Sequence, residues 1–162
     1  MKITLNQLPE TLEEFQAMPQ MSLETPEQTC VLFLCALELY IKDKDAGVAA
    51  MNLLRGPRPM NGYDVQFLKD RLREKKYLPK AYFNGATPAN NYTPAVPYVL
   101  DVLDDPRPQD IEDGYIRVYL KTAGADSPRP MKLRRKGNTW CLWEYSSILS
   151  GIRIPAEADP WA

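Results

Sequence analysis

Cationic and aromatic side chains in the last third of the chain are the residues best suited to binding chemistry. The candidate binding residues there are Arg117, Tyr119, Lys132, Arg134 and Trp143. Guanidinium and ammonium groups bind phosphates and carboxylates, and aromatic rings stack on bases. The same residue types also form cation–π pairs that stabilise a solvent-exposed sheet face, which is the commoner arrangement. The pattern therefore predicts a sheet face that is solvent-accessible or lines a pocket.

A predicted hairpin decides which of these side chains share a face. Gly137-Asn138 favours a two-residue turn between two strand-like runs. Pairing across this turn sets Lys132 opposite Trp143, Leu133 opposite Leu142 and Arg134 opposite Cys141. Because side chains alternate along a strand, the leucines then face the core, and the two cations share the opposite face with Trp143.

A proline-rich loop over residues 84–97 is a second candidate surface. Asn90, Asn91 and Tyr92 offer hydrogen-bond donors, acceptors and an aromatic ring between two prolines. Prolines reduce the conformational entropy that a loop loses when it binds a partner. The alternative is a plain connector, and the sequence favours neither interpretation.

The chain of 162 residues contains no histidine, which limits the chemistry it can perform. Triads of the Ser-His-Asp or Cys-His type, HExxH zinc sites and histidine acid–base catalysis are excluded. Cys30, Cys35 and Cys141 lack the spacing of a disulfide framework or a metal site, so we expect them in the core. We predict no catalytic residue, no metal ligand and no cofactor.

Charged residues are unevenly distributed, although the net charge is only −1. Residues 98–114 are acidic and residues 115–136 are basic. We expect these segments to neutralise each other in the fold, with the remaining carboxylates solvated in a turn. The small net charge gives no general attraction to nucleic acid or to an anionic membrane.

Helix signals fill residues 1–78, the predicted helical half. Helices are predicted over about 12–18, 26–42, 46–55 and 63–76. The second helix starts after Thr25, an N-cap with proline at the next position, and it is apolar on nearly every side. Such a helix is usually central and buried, so we expect Leu34 and Leu37 in the core.

Strand signals fill residues 79–162, the predicted sheet half. The strand-like runs lie at 98–103, 115–121, 131–136 and 139–145. The fold class is therefore α+β, with N-terminal helices followed by an antiparallel β-meander of about four strands. We expect one domain over residues 1–162. A cone-shaped arrangement of the nuclear-transport-factor or cystatin type is one candidate.

A long literal string of residues marks the C-terminal part of the chain. It consists of residues 124–130 (Gly-Ala-Asp-Ser-Pro-Arg-Pro), 133–137 (Leu-Arg-Arg-Lys-Gly), Trp140, 142–147 (Leu-Trp-Glu-Tyr-Ser-Ser), Ile152-Arg153, Pro155 and 159–162 (Asp-Pro-Trp-Ala), with a similar stretch at 84–94. This string resembles a family of uncharacterised bacterial proteins of unknown function. The resemblance implies a bacterial domain with a functional surface in these segments, and it implies no activity, substrate or catalytic residue.

Three functions are compatible with the sequence. The leading hypothesis is a non-enzymatic binding or protein-interaction module with recognition residues on proline-bounded loops. The second is a small-molecule-binding or enzymatic cone that uses carboxylate, tyrosine or arginine groups in a pocket. The third is a weak nucleic-acid binder. The expected partner is a protein or a small molecule, with nucleic acid unlikely.

No apolar run is long enough for a membrane span, and residues 1–5 do not resemble a signal peptide. We therefore expect no membrane partner and a cytoplasmic location.

Overall fold

The computed structural model describes residues 1–162 and contains four α-helices and five β-strands. The helices are α1 (Leu12–Gln16), α2 (Pro26–Lys42), α3 (Lys44–Arg55) and α4 (Gly62–Leu72). The strands are β1 (Lys2–Leu5), β2 (Tyr98–Asp104), β3 (Tyr115–Leu120), β4 (Arg129–Lys136) and β5 (Thr139–Glu144). A short 3-10 turn, Ser146–Leu149, follows β5. No helix combines the length and the apolar character that crossing a membrane requires.

Helix α2 forms the centre of the core. A complete capping box starts it, because the Thr25 hydroxyl accepts from the Gln28 backbone N–H and the Gln28 side chain accepts from the Thr25 backbone N–H. Every residue over 29–39 is buried, and the helix contacts β1, β2 and β5. Leu34 and Leu37 are fully buried, which confirms the predicted position of this helix.

Helices α2 and α3 are joined by one residue, Asp43. Its backbone N–H donates to the Leu39 carbonyl, and its side chain accepts from two backbone N–H groups at the start of α3, so it caps both helices. This sharp reversal brings Gly47 of α3 against the backbone of Tyr40 in α2. A Cβ atom at residue 47 would lie 2.2 Å from the Tyr40 Cα, so the junction requires glycine.

Helix α4 is shorter than predicted. It ends at Leu72 rather than near residue 76, because Arg73 has a ψ of 122° and Glu74 has a φ of +57°. Neither conformation continues a right-handed helix. Residues 73–76, which were predicted to end this helix, therefore lie outside it.

The sheet has five antiparallel strands in the order β1-β2-β3-β4-β5 and curls into a half-barrel. The buried side chains on its inner face are Leu5, Leu100, Val102, Val118, Leu120, Met131, Leu133 and Leu142. These residues form one core with the apolar helix residues. The predicted α+β class with an antiparallel meander is confirmed, and the predicted number of strands is corrected from about four to five.

Strand β1 is the additional strand. Its four residues pair antiparallel with β2, from Lys2 opposite Asp101 to Leu5 opposite Tyr98. The run is short, and its partner lies beyond the whole helical half, so the local sequence carries little strand signal.

The hairpin between β4 and β5 contains a β-bulge that changes the predicted register. Two predicted pairs are present, Leu133 with Leu142 and Arg134 with Cys141. The third is wrong, because Lys132 pairs with Glu144 instead of Trp143. A bulge places one extra residue in one strand, and here that residue is Trp143. Trp143 therefore has no cross-strand partner of its own and is able to contact residues outside the sheet.

Glu38 is a buried acidic residue of α2. Its carboxylate lies 3.9 Å from the Lys80 ammonium, and its Oε1 atom has no hydrogen-bond partner. Burial raises the pKa of Glu38, and the charges of Lys80 and Lys42 only partly oppose that shift. The folded protein therefore favours the protonated form of Glu38 more than the unfolded chain does.

The stability that Glu38 contributes should consequently depend on pH. A raised pKa in the folded state means that this contribution is complete below the unfolded pKa, about 4.3, and is lost as the pH rises through the folded pKa. We expect Glu38→Gln to gain stability relative to the wild type between pH 4 and pH 7. Urea unfolding at both pH values measures this, with exposed Glu24→Gln as the control. The prediction would be contradicted if the stability of Glu38→Gln relative to the wild type fell as the pH rose.

Candidate functional site

The strand register groups cationic and aromatic side chains on the outer face of the sheet. Between β3 and β4 the outer-face pairs are Tyr115 with Arg134, Arg117 with Lys132 and Tyr119 with Pro130. Trp143 of β5 joins this group through an edge-to-face contact with Tyr115, with 5.4 Å between ring centroids. The structure therefore brings together five of the predicted binding residues, Arg117, Tyr119, Lys132, Arg134 and Trp143.

Two of these cations are neutralised by the acidic segment before β3. Arg117 donates two hydrogen bonds to the Asp105 carboxylate at 3.1 and 3.2 Å, and Lys132 donates to Glu112 at 2.9 Å. Desolvation raises the pKa of Asp105, but hydrogen bonds from the Arg107 backbone and from Arg117 outweigh it and lower the pKa below its ordinary value. The expected neutralisation between the acidic and basic segments occurs at these pairs.

Arg134 and Arg58 lie against the Trp143 ring and have no carboxylate partner. The Arg134 guanidinium carbon is 4.7 Å from the Trp143 ring centroid and 5.2 Å from that of Tyr115. Arg58 comes from the loop after α3, and its guanidinium carbon is 4.0 Å from the Trp143 centroid. Arg58 also donates to the Trp143 carbonyl at 2.7 Å. Two cations thus share one indole ring.

A pocket of about 350 Å³ opens beside this arrangement, and we call it the Trp143 pocket. Its lining residues are Arg55, Pro57, Arg58, Arg134, Arg135, Lys136, Cys141 and Trp143. Five of these eight residues are cationic and none is acidic. Of the five cations, only Arg55 forms an ion pair with a carboxylate within 4.0 Å. Four of the cations that line this pocket therefore have no carboxylate within ion-pair distance.

The buried side chain of Arg55 holds the loop that brings Arg58 to the sheet. The Arg55 side chain is 4% exposed and donates to three acceptors, which are the Arg58 carbonyl, the Tyr145 hydroxyl and the Asp64 carboxylate. Asp64 also accepts from the Asn61 backbone N–H at the start of α4. Arg55 is thus a positioning residue that ties this loop to α4 and to the end of β5.

The Arg58 guanidinium lies close to the positive charges of Arg55 and Arg134. Partial desolvation, followed by the charge of Arg55, lowers the pKa of the Arg58 guanidinium; Asp64 and Tyr145 oppose this shift, and Arg134 adds to it. Arginine remains protonated at neutral pH even so. An anion in the pocket would relieve this repulsion, whereas a cation would increase it.

The predicted loop residues Asn90, Asn91 and Tyr92 do not line this pocket. Tyr92 is buried, and its hydroxyl donates to the Arg153 carbonyl at 2.6 Å. The Asn90 side chain bonds to backbone groups of its own loop, and the Asn91 side chain accepts from the Glu157 backbone N–H. These contacts hold the loop to the C-terminal segment, and a binding role for the three residues stays a prediction.

Sequence reasoning did not assign Arg58, Arg135, Lys136 or Tyr115 to the site. Tyr115 carries a usable signal, because it lies two residues before Arg117 on the same strand face. Arg58 carries none, since it stands between two prolines in a loop connecting helices.

A second cavity, of about 370 Å³, lies between residues 82–87 and 121–128. Its charged lining residues are Asp101, Lys121 and Asp126, and Asp126 also pairs with Arg153. Charges of both signs are therefore present, and this cavity shows no preference for an anion or a cation. No group of three or more cysteine, aspartate or glutamate side chains is placed to hold a metal ion.

The fold and the pocket define an α+β protein with helices packed on an antiparallel half-barrel and a cationic pocket at the outer face of its sheet. Over residues 7–156 the chain matches the family described as Domain of unknown function (DUF6935), and it belongs to that family. Comparison with the curated proteins and with the solved structures finds no match to either. Membership of this family confirms the predicted resemblance to an uncharacterised family of unknown function.

Proposed function

We propose that this protein is a non-enzymatic binding module whose partner, a protein or a small molecule, presents an anionic group to the Trp143 pocket. The observation that carries the proposal is the set of four cations without carboxylate partners around that pocket, Arg58, Arg134, Arg135 and Lys136. Elsewhere on the same sheet face, Arg117 and Lys132 are paired with carboxylates. Of the cations that β3 and β4 place on this face, those without a carboxylate partner therefore lie at the pocket.

The chemistry of the lining favours binding over catalysis. Arginine and lysine side chains are protonated at neutral pH, so they donate hydrogen bonds and do not act as general bases. The nearby Tyr145 hydroxyl is also protonated, because burial raises its pKa. The lining supplies donors for an anion and no carboxylate to accept a proton.

A small-molecule-binding or enzymatic domain is the second candidate function. The volume of about 350 Å³ favours it, because small-ligand sites typically enclose about 300–1,000 Å³. The bacterial origin that we propose rests on the resemblance in the C-terminal part of the chain. Three free thiols support a proposed cytoplasmic location, where thiols remain reduced.

Thermal unfolding in the presence of a panel of anionic and neutral compounds and acidic peptides tests the proposal. A ligand that binds only the folded state and is present at 100 times its Kd stabilises it by about 2.7 kcal/mol. For a chain of this size that raises the Tm by roughly 5–10 °C. We expect anionic ligands to raise the Tm of the wild type and to have much less effect on the double variant Arg58→Ala/Arg134→Ala.

The double variant Arg73→Ala/Lys75→Ala is the matched control, since it removes two exposed cations outside the pocket. It should respond to ligands as the wild type does. Stabilisation by neutral compounds alone, or equal stabilisation of both double variants, would contradict the proposed site.

A further inference from the structure

We infer that the Trp143 pocket takes a compact oxyanion of the phosphate type, such as the phosphate or pyrophosphate group of a small molecule. The inference rests on the proposed function and specifies the class of ligand. Its basis is the number of free donors, the way the two arginines are held, and the acidic segment beside the pocket.

The pocket contains many hydrogen-bond donors that no protein group uses. The Arg134 guanidinium donates no hydrogen bond within the protein, and the Arg58 guanidinium donates only to the Trp143 carbonyl. The Arg135 guanidinium uses only its Nε, on the Gly137 carbonyl. A guanidinium fork matches two oxygens of a phosphate, and a phosphate offers three or more such oxygens. Several guanidinium groups at one pocket can thus share a single phosphate-type group.

Trp143 holds two of these groups in place before any ligand arrives. Contact with an aromatic ring orders a guanidinium without consuming its N–H donors. Arg58 and Arg134 are both ordered in this way, at 4.0 and 4.7 Å from the ring centroid. Binding then costs less side-chain entropy than it would with free arginines.

The same contacts disfavour nucleic acid as the ligand. Binding of a single strand relies on aromatic faces that stack on bases. Here Arg58 and Arg134 already occupy the Trp143 ring, and Lys132 and Arg134 lie over Tyr115. Because cations already lie against the Trp143 and Tyr115 rings, these rings are not available for stacking on bases.

The acidic segment limits how far an anionic ligand can extend. Glu112 is bound to Lys132, which lies 4.9 Å from the Tyr115 ring centroid, next to Arg134. Asp105 is bound to Arg117 beside it. A long polyanion leaving the pocket in this direction would meet those carboxylates, whereas a compact one would not.

Isothermal titration calorimetry with pyrophosphate as the probe, at fixed ionic strength, tests the inference. We expect saturable binding to the wild type, at least tenfold weaker binding to Arg58→Ala/Arg134→Ala, and unchanged binding to Arg73→Ala/Lys75→Ala. Arg134→Lys keeps the charge but loses the fork, so it should weaken binding severalfold. Because Arg134 is exposed and the substitution is conservative, we expect Arg134→Lys to fold normally. It therefore tests the inference even if the double variant folds poorly.

Two further probes separate this inference from the proposed function. A hexa-aspartate peptide that binds in an Arg134-dependent manner, without binding of pyrophosphate, would overturn the phosphate inference and leave the binding module standing. A single-stranded DNA 12-mer that binds more than tenfold tighter than pyrophosphate, again dependent on Arg134, would assign the pocket to nucleic acid. If none of the three probes binds, both proposals fail.

Discussion

We expect Leu34→Ala and Leu37→Ala each to lower the free energy of unfolding by roughly 2–5 kcal/mol. Both side chains are fully buried in α2, where neighbours on every side prevent collapse into the space that is left. The loss combines the transfer free energy of the deleted atoms with the cost of the cavity. Urea unfolding followed by circular dichroism measures the change as a lower transition midpoint.

Leu53→Ala on α3 is the matched control for these substitutions. Leu53 is 38% exposed, so the same chemical change removes much less buried surface there. We expect a loss below about 1 kcal/mol. Midpoints that are unchanged by both α2 substitutions would show that this helix is not the centre of the core.

Gly47→Ala should be strongly destabilising, although helix propensity alone predicts the opposite. Alanine in a helix interior is about 1 kcal/mol more favourable than glycine. At residue 47, however, the new Cβ would lie 2.2 Å from the Tyr40 Cα and 2.5 Å from the Tyr40 backbone nitrogen. Backbone atoms of a buried helix cannot move aside cheaply, so α2 and α3 must separate. We expect a net loss of roughly 3 kcal/mol.

Gly62→Ala at the start of α4 isolates the steric cause, because a Cβ atom there meets no atom within 4 Å. This control should be neutral or slightly stabilising. Unfolding of both variants in urea gives the comparison. Equal effects at residues 47 and 62 would rule out the close approach of α2 and α3 as the explanation.

Local signals explain which parts of this fold were predictable. The Thr25 capping box and the Gly137-Asn138 turn are encoded within a few residues, and both elements form where the sequence places them. The bulge at Trp143 is not encoded in that way. A strand with alternating residues can pair either with or without a bulge. In this structure the bulge occurs where the Trp143 ring packs against Arg58.

The site was predictable only in part, for a related reason. Alternation along strands identified Arg134 and Trp143 as neighbours on one sheet face. The other wall of the pocket comes from residues 55–58, which lie far away in the chain and are positioned by the contacts of a buried arginine. Tertiary contacts of this kind leave no periodic trace in a single sequence.

The pairing of β1 with β2 has a consequence for the order of assembly. Strands β4 and β5 join across a two-residue turn, whereas β1 meets β2 only after closing a loop that contains all four helices. The entropy of loop closure rises with loop length, by about 0.6 kcal/mol for each doubling. Non-local pairs of this kind form slowly. During synthesis, β1 leaves the ribosome before the other four strands but cannot pair until residues 98–104 have emerged. This edge strand is therefore synthesised before the rest of the sheet and joins it late.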